Sequence, residues 1–179
     1  MTPNLSRIRR VSRLMQRICS LILIAVPLIL ALVWSNFEAL APLSEAFDKI
    51  PIQPDNLTWL NLLLGFLISL AGAAIVLYGV ARLRRLFMLY GKGQVFTHET
   101  ARCIRGFALA IMLYAASSPV IGGLLSVVLT MGNPPGERAL VISFSSNELA
   151  LLFLGGCLLV ISWVMAESSR LADDNAQIV

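Results

Sequence analysis

The sequence predicts an all-α integral membrane protein, a single domain over residues 1–179 with four transmembrane helices. Three observations carry that prediction. The chain is 58% hydrophobic and 13% charged, with a mean hydropathy of +0.81. Soluble domains are about 45–50% apolar and about 25% charged, so lipid is the better solvent for this chain. Four apolar runs, about 18–34, 57–81, 106–131 and 148–165, stand apart from one another between polar stretches; each has the length needed to cross a hydrocarbon core of about 30 Å. Finally, the basic residues flank these runs, the pattern of membrane topology rather than of a nucleic-acid-binding face.

The N-terminal segment carries Arg7, Arg9, Arg10, Arg13 and Arg17 and no acid. It suits a helical lead into the first span or a seat on an anionic inner leaflet. The first run, Ile18 to Trp34, has Pro27 inside it, which a membrane span tolerates with a kink. A cleaved signal peptide is the rival. It is disfavoured because the run is long for an h-region and because Pro42 follows Ala39-Leu40-Ala41. Residues 35–56 hold Glu38, Glu45, Asp48 and Asp55 with three prolines, and read as the first external loop, with room for a short surface helix.

The second span opens at Trp59 and passes Gly65, Ser69 and Ala73, small residues at spacing four that place a close-packing seam on one helix face. It ends at Arg82, Arg84 and Arg85. A cytoplasmic loop over 82–105 follows, which also holds Lys92, Arg102 and Arg105. Within it, Gly91-Lys92-Gly93 reads as a helix stop. Phe96-Thr97-His98-Glu99 reads as a new start: Thr97 as N-cap, Phe96 stapled onto Ala101, Glu99 in the first turn. The third span contains Ser118, Gly122 and Ser126, again at spacing four, and a kink signal at Ser117-Ser118-Pro119. The two stripes are most simply packing seams between spans two and three; a homo-oligomeric interface is the lesser alternative.

Between the third and fourth spans, Asn133-Pro134-Pro135-Gly136 is a turn. Leu140, Ile142 and Phe144 then alternate with Val141, Ser143 and Ser145, which predicts a short external β segment, with the first external loop as its pairing partner. The tail after the fourth span is polar, with Asp173 and Asp174.

Topology follows from charge. With both termini inside, twelve Lys and Arg lie on the inner side and only Lys49 and Arg138 outside, while six of the ten acids lie outside. The positive-inside rule therefore predicts N-in/C-in, the orientation of a multi-pass protein of a bacterial inner membrane.

Several segments together resemble a bacterial membrane family of unknown function, domain-of-unknown-function family 2975. They are YGKGQVFTHETARCIR, the PPGER-ALVISFSS stretch, and the ESSRLADDNAQIV tail. The resemblance runs from about Leu60 to the end. Its most specific parts are Gly93-Gln94-Val95-Phe96-Thr97 and the E-x-x-R-L-x-x-D/E-N pattern from Glu167. It implies no catalytic residue. What it implies in gene setting is a neighbouring helix-turn-helix regulator, and hence a cytoplasmic DNA-binding partner for a membrane protein.

No catalytic or metal constellation stands out. His98 has only Glu99 beside it, Cys19, Cys103 and Cys157 lack CxxC spacing, and no GxSxG, HExxH, P-loop or GxGxxG pattern occurs. No cofactor is expected. No charged residue lies near the middle of any apolar run, which speaks against an ion-coupled transporter. The expectation is thus a non-enzymatic regulatory or partner-binding membrane protein, without direct nucleic-acid contact. Arg82, Arg84, Arg85, Lys92, Arg102 and Arg105 would be its docking or anionic-lipid surface. A small channel or permease subunit, lined by Gly, Ser and Asn faces, is the alternative.

Overall fold

Each apolar run becomes one long helix, because a backbone in hydrocarbon must satisfy its own hydrogen bonds. The computed structural model describes residues 3–40, 50–53 and 56–176. Its elements are α1 (Pro3–Ser35), α2 (Phe37–Leu40), α3 (Trp59–Gly91), α4 (His98–Thr130) and α5 (Ser146–Ala176). Four of them, α1, α3, α4 and α5, are long and apolar enough to cross a membrane, the build of a small multi-pass membrane protein. The 33 residues of α3 or α4 span about 50 Å, well beyond a hydrocarbon core of about 30 Å. The surplus carries helix through the arginines at one end, so only Lys92 to Thr97 remain non-helical in the stretch read as a loop.

The main contacts pair α1 with α3, α3 with α4 and α4 with α5, so the helices pack in chain order as antiparallel neighbours. Glycines set how closely they approach. A Cβ on Gly79 would lie 3.0 Å from Ala110 and one on Gly72 3.2 Å from Ile121, both on α4. On α5, a Cβ at Gly155 would meet Met112 at 2.4 Å and the Ala108 carbonyl at 3.2 Å. Gly65 turns the other way: the indole of Trp34 on α1 lies over it, stacked on Phe37 with ring centroids 5.1 Å apart. Trp34 and Phe37 pack with Leu125 and Leu129 into an apolar cluster at the end of the helices away from the arginines.

The predicted β segment does not form. Among the described residues there is no strand, and 139–145 is irregular. Its backbone bonds to α4 instead of to a partner strand. The Ala139 N–H donates to Thr130 Oγ1 at 3.1 Å, and the Val141 N–H to Ser126 Oγ at 2.8 Å. Buried hydroxyls on a helix thus do what a neighbouring strand would do, and Leu140, Ile142 and Phe144 stay largely exposed. The segment read as the first external loop does meet this region, through side chains: Asn133 Nδ2 donates to the Pro51 carbonyl at 3.1 Å, and Gln53 Nε2 to Glu137 at 2.5 Å. The stretch expected to hold a surface helix lies mostly at positions 41–49, outside the described residues; the single turn α2 covers only its first residues.

The segment also sets the depth of α5. Ala139 is beside Thr130, Val141 beside Ser126, Leu140 and Ile142 over Gly123, and Glu148 beside Ser118. The chain therefore runs back along α4 before α5 begins. Ser145 and Glu148 then cap α5: the Ser145 N–H donates to Glu148 Oε2 at 2.8 Å, its hydroxyl bonds the same oxygen, and the Asn147 N–H donates to Ser145 Oγ at 3.2 Å. The glutamate thus reaches back to the Ser145 N–H, as in an S-x-x-E capping box, while the serine hydroxyl takes the N–H of Asn147.

Candidate functional site

The basic end is assembled from the first turns of α1, the last turns of α3, the short loop and the start of α4. Two local signals shape the hairpin. Gly93, at φ +84°, takes the left-handed conformation that closes α3. The Gln94 N–H bonds the Leu89 carbonyl at 3.1 Å and the Gly93 N–H the Tyr90 carbonyl at 3.0 Å, the paired bonds of a Schellman stop. Thr97 caps α4, its Oγ1 accepting from the Thr100 N–H at 3.3 Å while Thr100 Oγ1 accepts from the Thr97 N–H at 3.1 Å. Thr100 is 0% exposed, and its hydroxyl also reaches the carbonyls of Thr97 and Val95. Phe96 is 75% exposed and makes no staple onto buried Ala101. The Thr97/Thr100 pair holds the turn without it.

Beneath the loop, Leu86, Leu89, Cys103 and Ile104 form a small core that Tyr90 and Met165 border. The three arginines of α3 then diverge. The Arg82 guanidinium lies 4.9 Å over the Tyr78 ring, a cation–π distance, and its stem packs against Gly106. Arg84 points to the α1 side, near Cys19, with a buried Nε that has no hydrogen-bond partner among the described residues. Arg85 ion-pairs with Glu99, its Nε donating at 3.1 Å, so that α3 and α4 are tied across the hairpin. On α1, the Arg9 guanidinium reaches over Gly93, 3.5 Å from where a Cβ would stand.

Lys92, Arg102 and Arg105 differ from these. All three are exposed, and no acid pairs with them among the described residues. Arg10, Arg13 and Arg17 on α1 are exposed in the same way, and line two open grooves with Leu14, Leu21 and Ile24. The basic end is thus of two kinds: arginines that bind the helices together, and cations left facing outward. The side chains of Asp173 and Asp174 lie outside the described ones. His98 is exposed, and no group of three or more His, Cys, Asp and Glu gathers among the described residues.

Of the small residues singled out by sequence, Gly65 and Ser126 are buried, while Ser69, Ala73, Ser118 and Gly122 are half-buried. The fully buried glycines of α3 are Gly65, Gly72 and Gly79, spaced seven apart rather than four. Two signals for the missed features were in the sequence: that glycine period, and the T-x-x-T and S-x-x-E spacings at Thr97 and Ser145. Arg9 over Gly93 had none, because it joins residues far apart in the chain.

A family model described as a protein of unknown function (DUF2975) matches residues 23–179. No curated protein and no solved structure matches the chain.

Proposed function

The chain belongs to the DUF2975 family of proteins of unknown function, and from that premise we propose that it is a non-enzymatic partner-binding protein of the bacterial inner membrane. Its basic end faces the cytoplasm, with N and C termini inside, as the charge distribution requires. The observation that supports docking is the division among the cations. Arg82, Arg84 and Arg9 are turned to the helices and the loop, and exposed Arg85 is engaged by Glu99. Lys92, Arg102 and Arg105 present charge outward from a hairpin held rigid by two caps and an ion pair.

An acidic face of a cytoplasmic protein suits that surface, and the family's gene setting makes a helix-turn-helix regulator the first candidate. Anionic inner-leaflet lipids would take the cations nearest the membrane, at roughly 1 kcal/mol each. The test begins with sidedness: a cysteine in place of Gln94 should resist impermeant thiol reagents in intact cells. Photo-crosslinkers at Lys92 and at Arg102 should then trap the regulator, and Arg102→Glu with Arg105→Glu should abolish the adduct. Equal trapping in that variant, correctly inserted, would sink the proposal.

A channel or permease subunit is the second reading. What favours it is Glu148, the carboxylate that the structure sets beside the middle of α4. Solute flux into vesicles containing the purified protein, compared with protein-free vesicles, tests it.

A further inference from the structure

Glu148 follows directly on the external segment in sequence, yet it does not sit at the ends of the helices. Ser118 Oγ donates to its Oε1 at 3.3 Å. From Ser118 to the end of α4 at Thr130 is about 18 Å, and back to Arg105 about 20 Å, at 1.5 Å per residue. A hydrocarbon core of about 30 Å that starts at Arg105 ends near Leu125. Leu125 belongs to the cluster of Trp34, Phe37 and Leu129 at that end. Glu148 therefore lies about 10 Å inside the apolar layer.

A charged carboxylate at that depth is costly unless water or a counter-ion reaches it. Among the described residues no counter-ion is in place. The apolar runs of α1 and α3 carry no charge, α4 carries none beyond Arg105, and α5 none between Glu148 and Glu167. The only titratable side chain of α4 beyond Arg105 is Tyr114. At the turn, Arg138 Nε is engaged with the Asn133 carbonyl at 3.2 Å, and Glu137 accepts from Gln53.

A second feature at the same depth also calls for water. Residues 139–145 are not helical, Ser143, Ser146 and Asn147 are exposed, and exposed Ser145 bonds the carboxylate. Non-helical backbone at membrane depth persists only where protein buries it or water reaches it. We propose that Glu148 is a proton-binding site at the floor of a hydrated recess, open at the end opposite the arginines.

The proton is the ligand that fits. One carboxylate and two serine hydroxyls supply too few oxygens to strip a metal cation of its hydration shell. Uptake balances simply: the carboxylate gains one proton at Oε1 and becomes a neutral acid, whose O–H now donates to Ser118 Oγ. Oε2 keeps its two donors from Ser145. The Ser118 hydroxyl is freed to turn to the Ala115 carbonyl, which lacks its helical donor because Pro119 has no N–H. This site lies about 20 Å along α4 from Arg105 and does not depend on the docking surface.

The test is carbodiimide labelling of the full-length protein in lipid vesicles, read by mass spectrometry of the Glu148 peptide. A protonated carboxyl adds across one C=N bond of dicyclohexylcarbodiimide and rearranges to an N-acylurea, so the whole reagent mass is gained and nothing leaves. The apolar reagent should still label Glu148 at a pH where it no longer labels surface Glu137 in the same sample. Glu148→Gln should lose the adduct. Ser118→Ala, which removes a donor to the charged form, should extend the labelling to higher pH still. Labelling of Glu148 that is lost at the same pH as that of Glu137 or below it, or no adduct at Glu148, would overturn the proposal. The measurement needs no variant to fold, since the wild-type protein carries both carboxylates.

Discussion

Replacing Gly65 by alanine should destabilise the helix assembly far more than the same change at Gly122. A Cβ at Gly65 would stand 2.1 Å and 2.5 Å from two carbons of the Trp34 ring, whereas one at Gly122 would meet nothing within 4 Å. Ordinary contact begins at 3.4 Å, so the indole would have to retreat by about 1.3 Å. It has little room to do so, because Phe37 stacks on it and Leu125 and Leu129 pack around it. Overpacking of this kind costs about 1–3 kcal/mol, or roughly 5- to 150-fold in the folding equilibrium. Both variants gain the same helix propensity from losing a glycine, about 0.5–1 kcal/mol, so their difference isolates the clash. Reversible unfolding of each variant in mixed detergent micelles, followed by circular dichroism, measures it. If the Gly65 and Gly122 variants unfold at the same detergent fraction, the contact between α1 and α3 is not as described. A double-mutant cycle with Trp34→Phe should recover part of the loss if the ring is the obstacle.

Other outcomes follow from the same contacts. Thr100→Val should cost about 1–3 kcal/mol, because the buried hydroxyl leaves the Thr97 N–H and nearby carbonyls unsatisfied; faster amide exchange in the first turn of α4 would report it. Ser126→Ala together with Thr130→Val should free residues 139–142 from α4 and make a cysteine at Val141 more reactive to water-soluble thiol reagents. Unchanged reactivity would mean that the hydroxyls do not hold the segment.

Much of this molecule was legible in its residues because the relevant physics is local. An uninterrupted apolar run must become a helix in lipid, so all four long helices could be read directly. The stop at Gly93 and the cap at Thr97 are also local, since each depends on backbone groups within a few residues. The gathering of basic residues at one end is a matter of sequence position alone.

Depth and partnership are not local. Hydropathy treats Glu148 as the first polar residue after an external segment. Only the hydrogen bonds from 139 to 148 along α4 lower it to Ser118. The alternation at 140–144 signals a strand, but a strand exists only with a partner, and the neighbour that arrives is a helix with two buried hydroxyls. Likewise the arginines of α3 look equivalent in sequence, yet one lies over Tyr78, one turns to α1 and one pairs with Glu99. Composition and period thus determined that this chain enters a membrane and where its helices lie. Tertiary packing alone decided which polar groups share a level, because that depends on how antiparallel helices slide past one another, and a one-dimensional pattern leaves that offset open.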